Sequence, residues 1–348
     1  MNLKEIAKAC NVSQATVSLV LNNKKGVSEE KRRQVAGLLS ANGYKVNEEN
    51  IAGQSVKNSI RLLKIKKHSK LIEENPGFIT DIIDSIEREC RKKRFNLIVS
   101  NCELSNISEF IKFVNENPTD GLLILGTEFN EQDSFEFVKD ISIPFVVIDN
   151  SIPRKGISCI TMNNQDAIFL SVEYLVSLGH KNIGFLANNM PSSNCNARLR
   201  GFITALKMYN IREANSYVFE VAPTTSGSYQ SIKELLEKGT KFPSALVANN
   251  DSIALGAIKA FKEFGISIPQ NISIVGFDNI NFSTLSDPPL TTNDVPKRDI
   301  GKWAVTMLRQ KIYHPNSSAV KIYADTTLVI RESTCKYNSS LNNKYVLK

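Results

Sequence analysis

Apolar residues along the first 45 positions recur at helical spacing. Leu3, Ile6, Ala7 and Cys10 share one face, with Lys4 and Lys8 outside it. Val17, Val20 and Leu21 repeat the spacing in "SQATVSLVLNN", and "VSEEKRRQVAGLLSANGY" carries a third helical stripe. Ser13 and Ser28 stand at N-cap positions, and Gly43 stands at the stop of the third helix. Asn11 suits a left-handed turn between the first two helices. The pattern predicts helix, tight turn, helix and a bracing third helix within residues 1–46. The second helix opens on Ser13, Gln14, Ala15 and Thr16, a first turn small enough for a bulky partner to come close.

From Ile60 onward the pattern changes. Strand-length apolar runs ("FNLIVSN", "DGLLILG", "IPFVVID", "NIGFLAN", "SALVANN", "ISIVGFDN") alternate with helical stretches such as 79–94, 164–178, 196–209 and 251–265. Alternation of this kind predicts parallel sheets covered by helices on both faces. About 270 residues of it exceed what one sheet easily holds. The final stretch 335–348, "CKYNSSLNNKYVLK", reads as a polar tail without leucine heptads.

Charge sharpens the division. Residues 1–70 carry 14 Lys and Arg against 5 Asp and Glu, while the remainder carries 29 against 30. The whole positive excess of the chain (net +8) therefore lies in its first fifth, where a phosphate-binding module needs it. In a helix-turn-helix the second helix enters the major groove and its N-terminal residues meet base edges. That accounts for the small first turn of "SQATVSLVLNN". The six cysteines (10, 90, 102, 159, 195 and 335) form no CxxC pair, which suits free thiols in a reducing compartment. The N-terminus lacks the apolar core of a signal peptide and no run reaches membrane-span length, so a cytoplasmic protein is expected.

The run "LKEIAKACNVSQATVSLVLNNKKGVSEEKRRQVAGLLSANGYKVN" resembles the DNA-binding domain of the LacI/GalR family of bacterial transcription regulators. The resemblance continues through "GHKNIGFL", "ARLRGFITAL", "NNDSIALGAIKAFKEFGISIPQNISIVGFDN", "PPLTT" and "LVIREST", in the family's order, to about residue 334. It implies a helix-turn-helix head (1–46), a hinge (47–58), and a periplasmic-binding-protein-like core (59–334) of two doubly wound parallel-sheet lobes. The lobes would be about 59–161 with 292–321, and 162–291 with 322–334. The implied partners are a near-palindromic DNA operator, a second copy of the chain and a small-molecule effector between the lobes. The tail supports a dimer rather than a larger assembly.

Carried onto this chain, the DNA contacts fall on Lys4, Ser13, Gln14, Ala15, Thr16, Ser18, Leu19, Asn22, Tyr44, Asn47 and Ile51. Two positions depart from the family. Leu19 stands where members often carry a guanine-reading Arg, so readout shifts to Gln14, Asn22 and apolar contact with thymine methyls. Gly53 stands where a hinge leucine is usual, leaving Ile51 or Val56 to wedge between base steps.

For the effector, the resemblance points to Asp149, Arg198, Asn250 and Asp278 beyond the carboxyl ends of strands, with Phe78 near the cleft. Carboxylates, amides and a guanidinium fork suit a polyhydroxylated molecule such as a sugar. Asp251, at a helix start, reads as the cap and Asn250 as the contact. The segment "KIKKHSK" after the first core strand adds Lys64, Lys66, Lys67, His68 and Lys70, which read first as solvated surface and would favour an anionic effector if they faced the cleft. His180 reads as structural, Trp303 as core or dimer packing, and "RKKR" at 91–94 as the complement of a helix carboxyl end. No GxGxxG, P-loop or GxSxG motif and no metal-ligand spacing occurs, so neither an enzyme nor a metal or cofactor is expected. A purine-type ligand or a protein corepressor on the same architecture remains the alternative.

Overall fold

The computed structural model describes residues 1–21, 26–44, 58–68, 76–152, 155–190, 192–211, 217–340 and 344–347. The chain divides into two compact units, Met1–Lys57 and Asn58–Lys348. Asn22, Asn47, Ile51, Gly53 and Val56, and with them nearly the whole expected hinge, lie outside the described residues, as does Lys70.

In the first unit α1 (Leu3–Ala9), α2 (Gln14–Leu21) and α3 (Glu29–Ala41) pack around Ile6, Ala7, Cys10, Val17, Val20, Val35, Ala36 and Leu39. Asn2 caps α1, accepting from the Lys4 and Glu5 amides, and Glu5 closes the box by accepting from the Asn2 amide at 2.9 Å. Asn11 takes φ 51 between α1 and α2, the conformation its short side chain tolerates. Ser13 caps α2 by accepting from the Thr16 amide at 3.1 Å. Ser28 stands at the N-cap of α3 as expected, although its side chain makes no cap bond. Gly43, at φ 79, ends α3 as expected.

The second unit holds two six-stranded sheets. β1 (Ser59–Lys66), β2 (Asn96–Glu103), β3 (Gly121–Leu125), β4 (Phe145–Ile148), β5 (Cys159–Met162) and β11 (Lys321–Ala324) form the first, in the order β11-β5-β4-β3-β1-β2. β6 (Ile183–Asn188), β7 (Val218–Val221), β8 (Ala245–Ala248), β9 (Ser273–Asp278), β10 (Thr291–Asp294) and β12 (Thr327–Val329) form the second, in the order β12-β10-β9-β8-β6-β7. All pairings among these strands are parallel except β10 with β12, an antiparallel edge that the alternating pattern did not predict. Central strands such as Gly121–Leu125 and Ala245–Ala248 are buried throughout, the property that makes them continuous apolar runs.

The helices between strands are α4 (Pro76–Lys92), α5 (Ile107–Glu116), α6 (Asn164–Ser177), α7 (Ser193–Met208), α8 (Thr225–Glu237), α9 (Asp251–Glu263), α10 (Asn281–Leu285) and α11 (Lys297–Tyr313). The chain passes from lobe to lobe after Met162, after Asp294 and after Ala324. The second and third crossings each fall three residues later than the resemblance implied, because 291–294 belong to the second sheet and 321–324 to the first.

The tail also departs from expectation. Tyr337 donates its amide to the Leu178 carbonyl, and Val346 forms a parallel bridge with Phe242 beside the second lobe's core. His180 fixes the same region by contacts to Ser244 Oγ at 2.9 Å and the Cys335 carbonyl at 3.1 Å. Its structural reading stands. Arg91 and Lys92 close α4, where Arg91 meets Glu87 at 3.6 Å and Lys92 meets Glu89 at 3.4 Å. Trp303, read as a packing residue, is 43% exposed on α11.

Helices α8 and α9 touch through Gly256. A Cβ there would collide with the Thr225 carbonyl oxygen and lie 2.8 Å from the Tyr229 nitrogen. Gly256→Ala is expected to push the helices apart and destabilise the core by about 1–3 kcal/mol, as overpacking generally does. Urea unfolding of the two proteins measures it, and equal midpoints would mean that the helix contact has room to give.

Candidate functional site

Two regions carry the candidate residues. In the first unit, Lys4, Ser13, Gln14, Ala15 and Ser18 are exposed on α1, α2 and the turn between them, and Leu19 is half-buried. Thr16 is half-buried too, with its hydroxyl 2.9 Å from Ser13 Oγ, so it supports the cap more than it faces outward. Tyr44 packs at the edge of the head core. The N-terminal part of α2 and its cap thus present Ser13, Gln14, Ala15 and Ser18.

In the second unit, strand ends from both lobes converge on a cavity. Asp149 follows β4, Asn188 ends β6, Asn249 and Asn250 follow β8, and Asp278 ends β9. Phe78 from α4, Thr127 after β3, and Ser192, Asn194, Cys195 and Arg198 around the start of α7 complete the lining. This is the position at which open α/β sheets bind ligands, outside the carboxyl ends of their strands. Asp149 and Asp278 reach it at φ 59 and φ 107, a backbone conformation that non-glycine residues rarely adopt. Phe78 belongs both to the cavity wall and to the buried core.

A hydrogen-bonded chain ties the wall together. Thr127 Oγ1 donates to Asp149 Oδ2 at 2.6 Å, and Asn194 Nδ2 donates to Asp149 Oδ1 at 2.7 Å. Asn194 Oδ1 accepts from Thr161 Oγ1 and Asn164 Nδ2, and Asn164 Oδ1 accepts from Arg198 Nε at 2.8 Å. Arg198 Nη1 donates to the Asn249 carbonyl at 2.6 Å, and its guanidinium lies 3.6 Å from the Phe277 ring centroid. Its Nη2 stands 3.6 Å from Asp278 Oδ1.

Burial pushes the Asp149 carboxyl up to about 6, and the charge of Asp278 adds to it against the Thr127 and Asn194 hydrogen bonds and Arg198. Asp251 rises to about 7 by burial first and then by Asp278, opposed by bonds from Thr292 and the Ile280 amide and by Lys297.

One expectation is reversed. Asn250 is itself the cap of α9, accepting from the Ile253 amide at 2.8 Å, while Asp251 is buried behind it and accepts from Thr292 Oγ1 and the Ile280 amide. Asn250 still lines the cavity, but its oxygen is committed to the helix. The basic segment keeps to its surface reading and does not face the cavity. Lys67 Nζ meets Asp133 at 2.6 Å, Glu128 accepts from the Lys67 and His68 amides at 2.7 Å each, and none of Lys64, Lys66, Lys67 or His68 lines the cavity.

Sequence reasoning missed Thr127, Asn188, Asn249 and Asn194. Asn194 had a signal, since it stands four residues before Arg198 on one helix face. It also missed Lys297, which opens α11 on the first lobe's side and donates to the Asp278 carbonyl at 2.6 Å.

A helix-turn-helix unit joined in one chain to a two-lobed core with a polar cavity at its strand ends is the architecture of a DNA-binding regulator with an effector-binding core. The chain matches the bacterial regulatory proteins of the lacI family over residues 2–47 and the periplasmic binding protein-like domain over residues 172–334. It is 31% identical over 314 residues to the HTH-type transcriptional repressor PurR of Aliivibrio salmonicida, covering 89% of this chain and 92% of that one. It is 30% identical over 334 residues to the ribose operon repressor of Haemophilus influenzae, covering 95% and 98%. Among solved structures, a lac repressor dimer bound to operator and the anti-inducer ONPF superimposes with a TM-score of 0.71 at 25% identity, covering 96% and 99%. This chain belongs to the LacI family. Among the described residues no helix is long and apolar enough to cross a membrane, and no group of side chains is placed to hold a metal.

Proposed function

We propose that the chain is a dimeric repressor that binds a near-palindromic operator through Gln14, Ala15 and their neighbours, and whose affinity is set by a neutral, hydroxyl-rich effector between the lobes. The observation that carries the effector class is the composition of the cavity wall. Among the described residues its acceptors are Asp149 and Asp278, its one cation is Arg198, and amides of Asn188, Asn194, Asn249 and Asn250 fill most of the rest. Such a wall pairs with hydroxyls and has no spare positive charge for a phosphate. The anionic reading is therefore dropped. The ribose operon repressor among the relatives supports a sugar. A purine is the second reading, supported by the PurR relative and by Phe78 in the wall, where a planar ring can stack.

Dimerisation is supported by uncovered apolar surface. Phe282 and Leu285 on α10 are 70% and 79% exposed, and Ile98 and Val99 stand exposed on the edge strand β2.

A thermal-shift screen of the full chain with sugars and purines tests the effector. A ligand at 100 times its Kd is expected to stabilise the folded core by about 2.7 kcal/mol. Stabilisation by an anionic sugar phosphate alone would reject the neutral class. For the DNA side, Gln14→Ala is expected to cost about 1–3 kcal/mol and to relax one base position, as loss of a bidentate contact does. Binding to operator variants measures it, and an equal loss on every sequence would remove Gln14 from base readout.

A further inference from the structure

The lobes are joined by contacts outside the cavity as well as within it. Glu131 lies beyond β3 on the first lobe, and Asn196 and Arg200 stand one turn apart on α7 of the second. Asn196 Nδ2 donates to one Glu131 oxygen at 2.8 Å and Arg200 Nη1 to the other at 3.0 Å. Burial pushes the Glu131 carboxyl up, but hydrogen bonds from Asn196, its own backbone and Arg200, with the guanidinium charge, hold it below the usual carboxylate range. Close by, the Ser193 amide donates to the Phe129 carbonyl at 2.8 Å, again from lobe to lobe.

None of Glu131, Asn196 or Arg200 lines the effector cavity. That cavity measures about 40 Å³. It holds roughly three waters at ~10–15 Å³ each, whereas small-molecule sites run to about 300–1,000 Å³. A sugar or purine therefore enters only when the walls separate. Moving α7 away from the segment after β3 breaks both Glu131 contacts.

We propose that Glu131, Asn196 and Arg200 form a latch that keeps the lobes shut and sets how often the cavity opens. The latch acts on access, and the cavity residues act on recognition. Its members are only partly covered, with Arg200 52% and Glu131 32% exposed, so it is a light fastening rather than a lock. The inference rests on the effector site lying between the lobes, but its test needs no effector.

Cys195 supplies the probe, because its thiol lines the narrow cavity and is buried. Alkylation of the full chain by iodoacetamide, followed site by site through peptide mass mapping, reads the fraction of time the cavity is open. Cys90, buried in the main hydrophobic cluster, reports general loosening. Glu131→Ala and Arg200→Ala are expected to raise the Cys195 rate roughly two- to fivefold, the range set by losing a partly exposed ion pair. Cys90 should stay at its wild-type rate. The reversed pair Glu131→Arg with Arg200→Glu should bring Cys195 back toward wild type, because the charges still meet and the Asn196 oxygen can accept from the new guanidinium. An unchanged Cys195 rate in both single variants overturns the latch. So does an equal rise at Cys90, or a reversed pair no slower than the single variants.

Discussion

Arg198→Ala is expected to destabilise the core by about 3–5 kcal/mol, the cost of removing one partner from a buried ion pair. The guanidinium is 7% exposed and stands 3.6 Å from Asp278, itself 4% exposed. It also holds Asn164 and the Asn249 carbonyl and lies against Phe277. Alanine leaves two buried carboxylates, Asp149 and Asp278, facing the cavity without the cation that lines it beside them. Asp149, already raised to about 6 with Arg198 opposing the rise, is driven further toward the protonated form, so the loss should be larger at pH 8 than at pH 5. Urea unfolding followed by the fluorescence of Trp303, the single tryptophan, isolates the core, since Trp303 belongs to the second unit. A loss below 1 kcal/mol at pH 8 would show that Arg198 is not the pivot of this network. The result also bears on signalling. Because Arg198 both faces the cavity and braces it, an alanine variant that no longer answers effector does not separate recognition from folding. Arg198→Lys keeps the charge while giving up the fork and the stacking. It should fold more stably than Arg198→Ala and still respond poorly to effector.

The head was largely legible because its determinants are local. Asn11, Ser13 and Gly43 act on backbone groups within a few residues, and the apolar stripes of α1 to α3 name the residues that pack. Most core strands were legible as apolar runs. β10 was misplaced because it is a buried strand written in polar letters. Thr291, Thr292 and Asn293 are all at most 1% exposed, satisfied by partners such as Thr334, Asp251 and Ser171 that lie far off in the chain. The choice between Asn250 and Asp251 turned on the same limit. Both residue types cap helices, and what assigns the cap to Asn250 is the bonding of Asp251 to Ile280 and Thr292, 29 and 41 residues away. Asp149, Arg198 and Asp278 were placed together by resemblance, and the cavity joins them. Lys297 carries no local mark, and only the fold brings it from the start of α11 to the Asp278 carbonyl.

Those buried acids give the core an unusual pH dependence. Asp149 and Asp251 have folded-state values of about 6 and about 7, raised above an ordinary carboxyl value of 3.8. Between the ordinary and folded values the native state binds more protons than the unfolded chain, so stability falls as pH rises through that window. Lowering the pH from 8 to 5 should therefore stabilise the core through these two groups. His180 works the other way. Burial lowers its folded value below 6.5, so the stability it contributes at higher pH is lost as pH falls below that value. Glu131, held low, gives up its contribution only below an ordinary carboxyl value of 4.5, outside the range. Each tenfold change in a group's proton affinity on folding is worth about 1.4 kcal/mol. The two acids therefore outweigh the histidine, and a net gain on the order of 2 kcal/mol from pH 8 to pH 5 is expected. Asp251→Asn should flatten the slope, because the larger of the two raised acids is gone while an oxygen remains to accept from Thr292 or Ile280. Urea unfolding by Trp303 fluorescence at half-unit steps of pH measures both proteins. A core that loses stability steadily from pH 8 to pH 5, or an Asp251→Asn variant with the wild-type slope, would mean that these carboxylates are ionised in the fold.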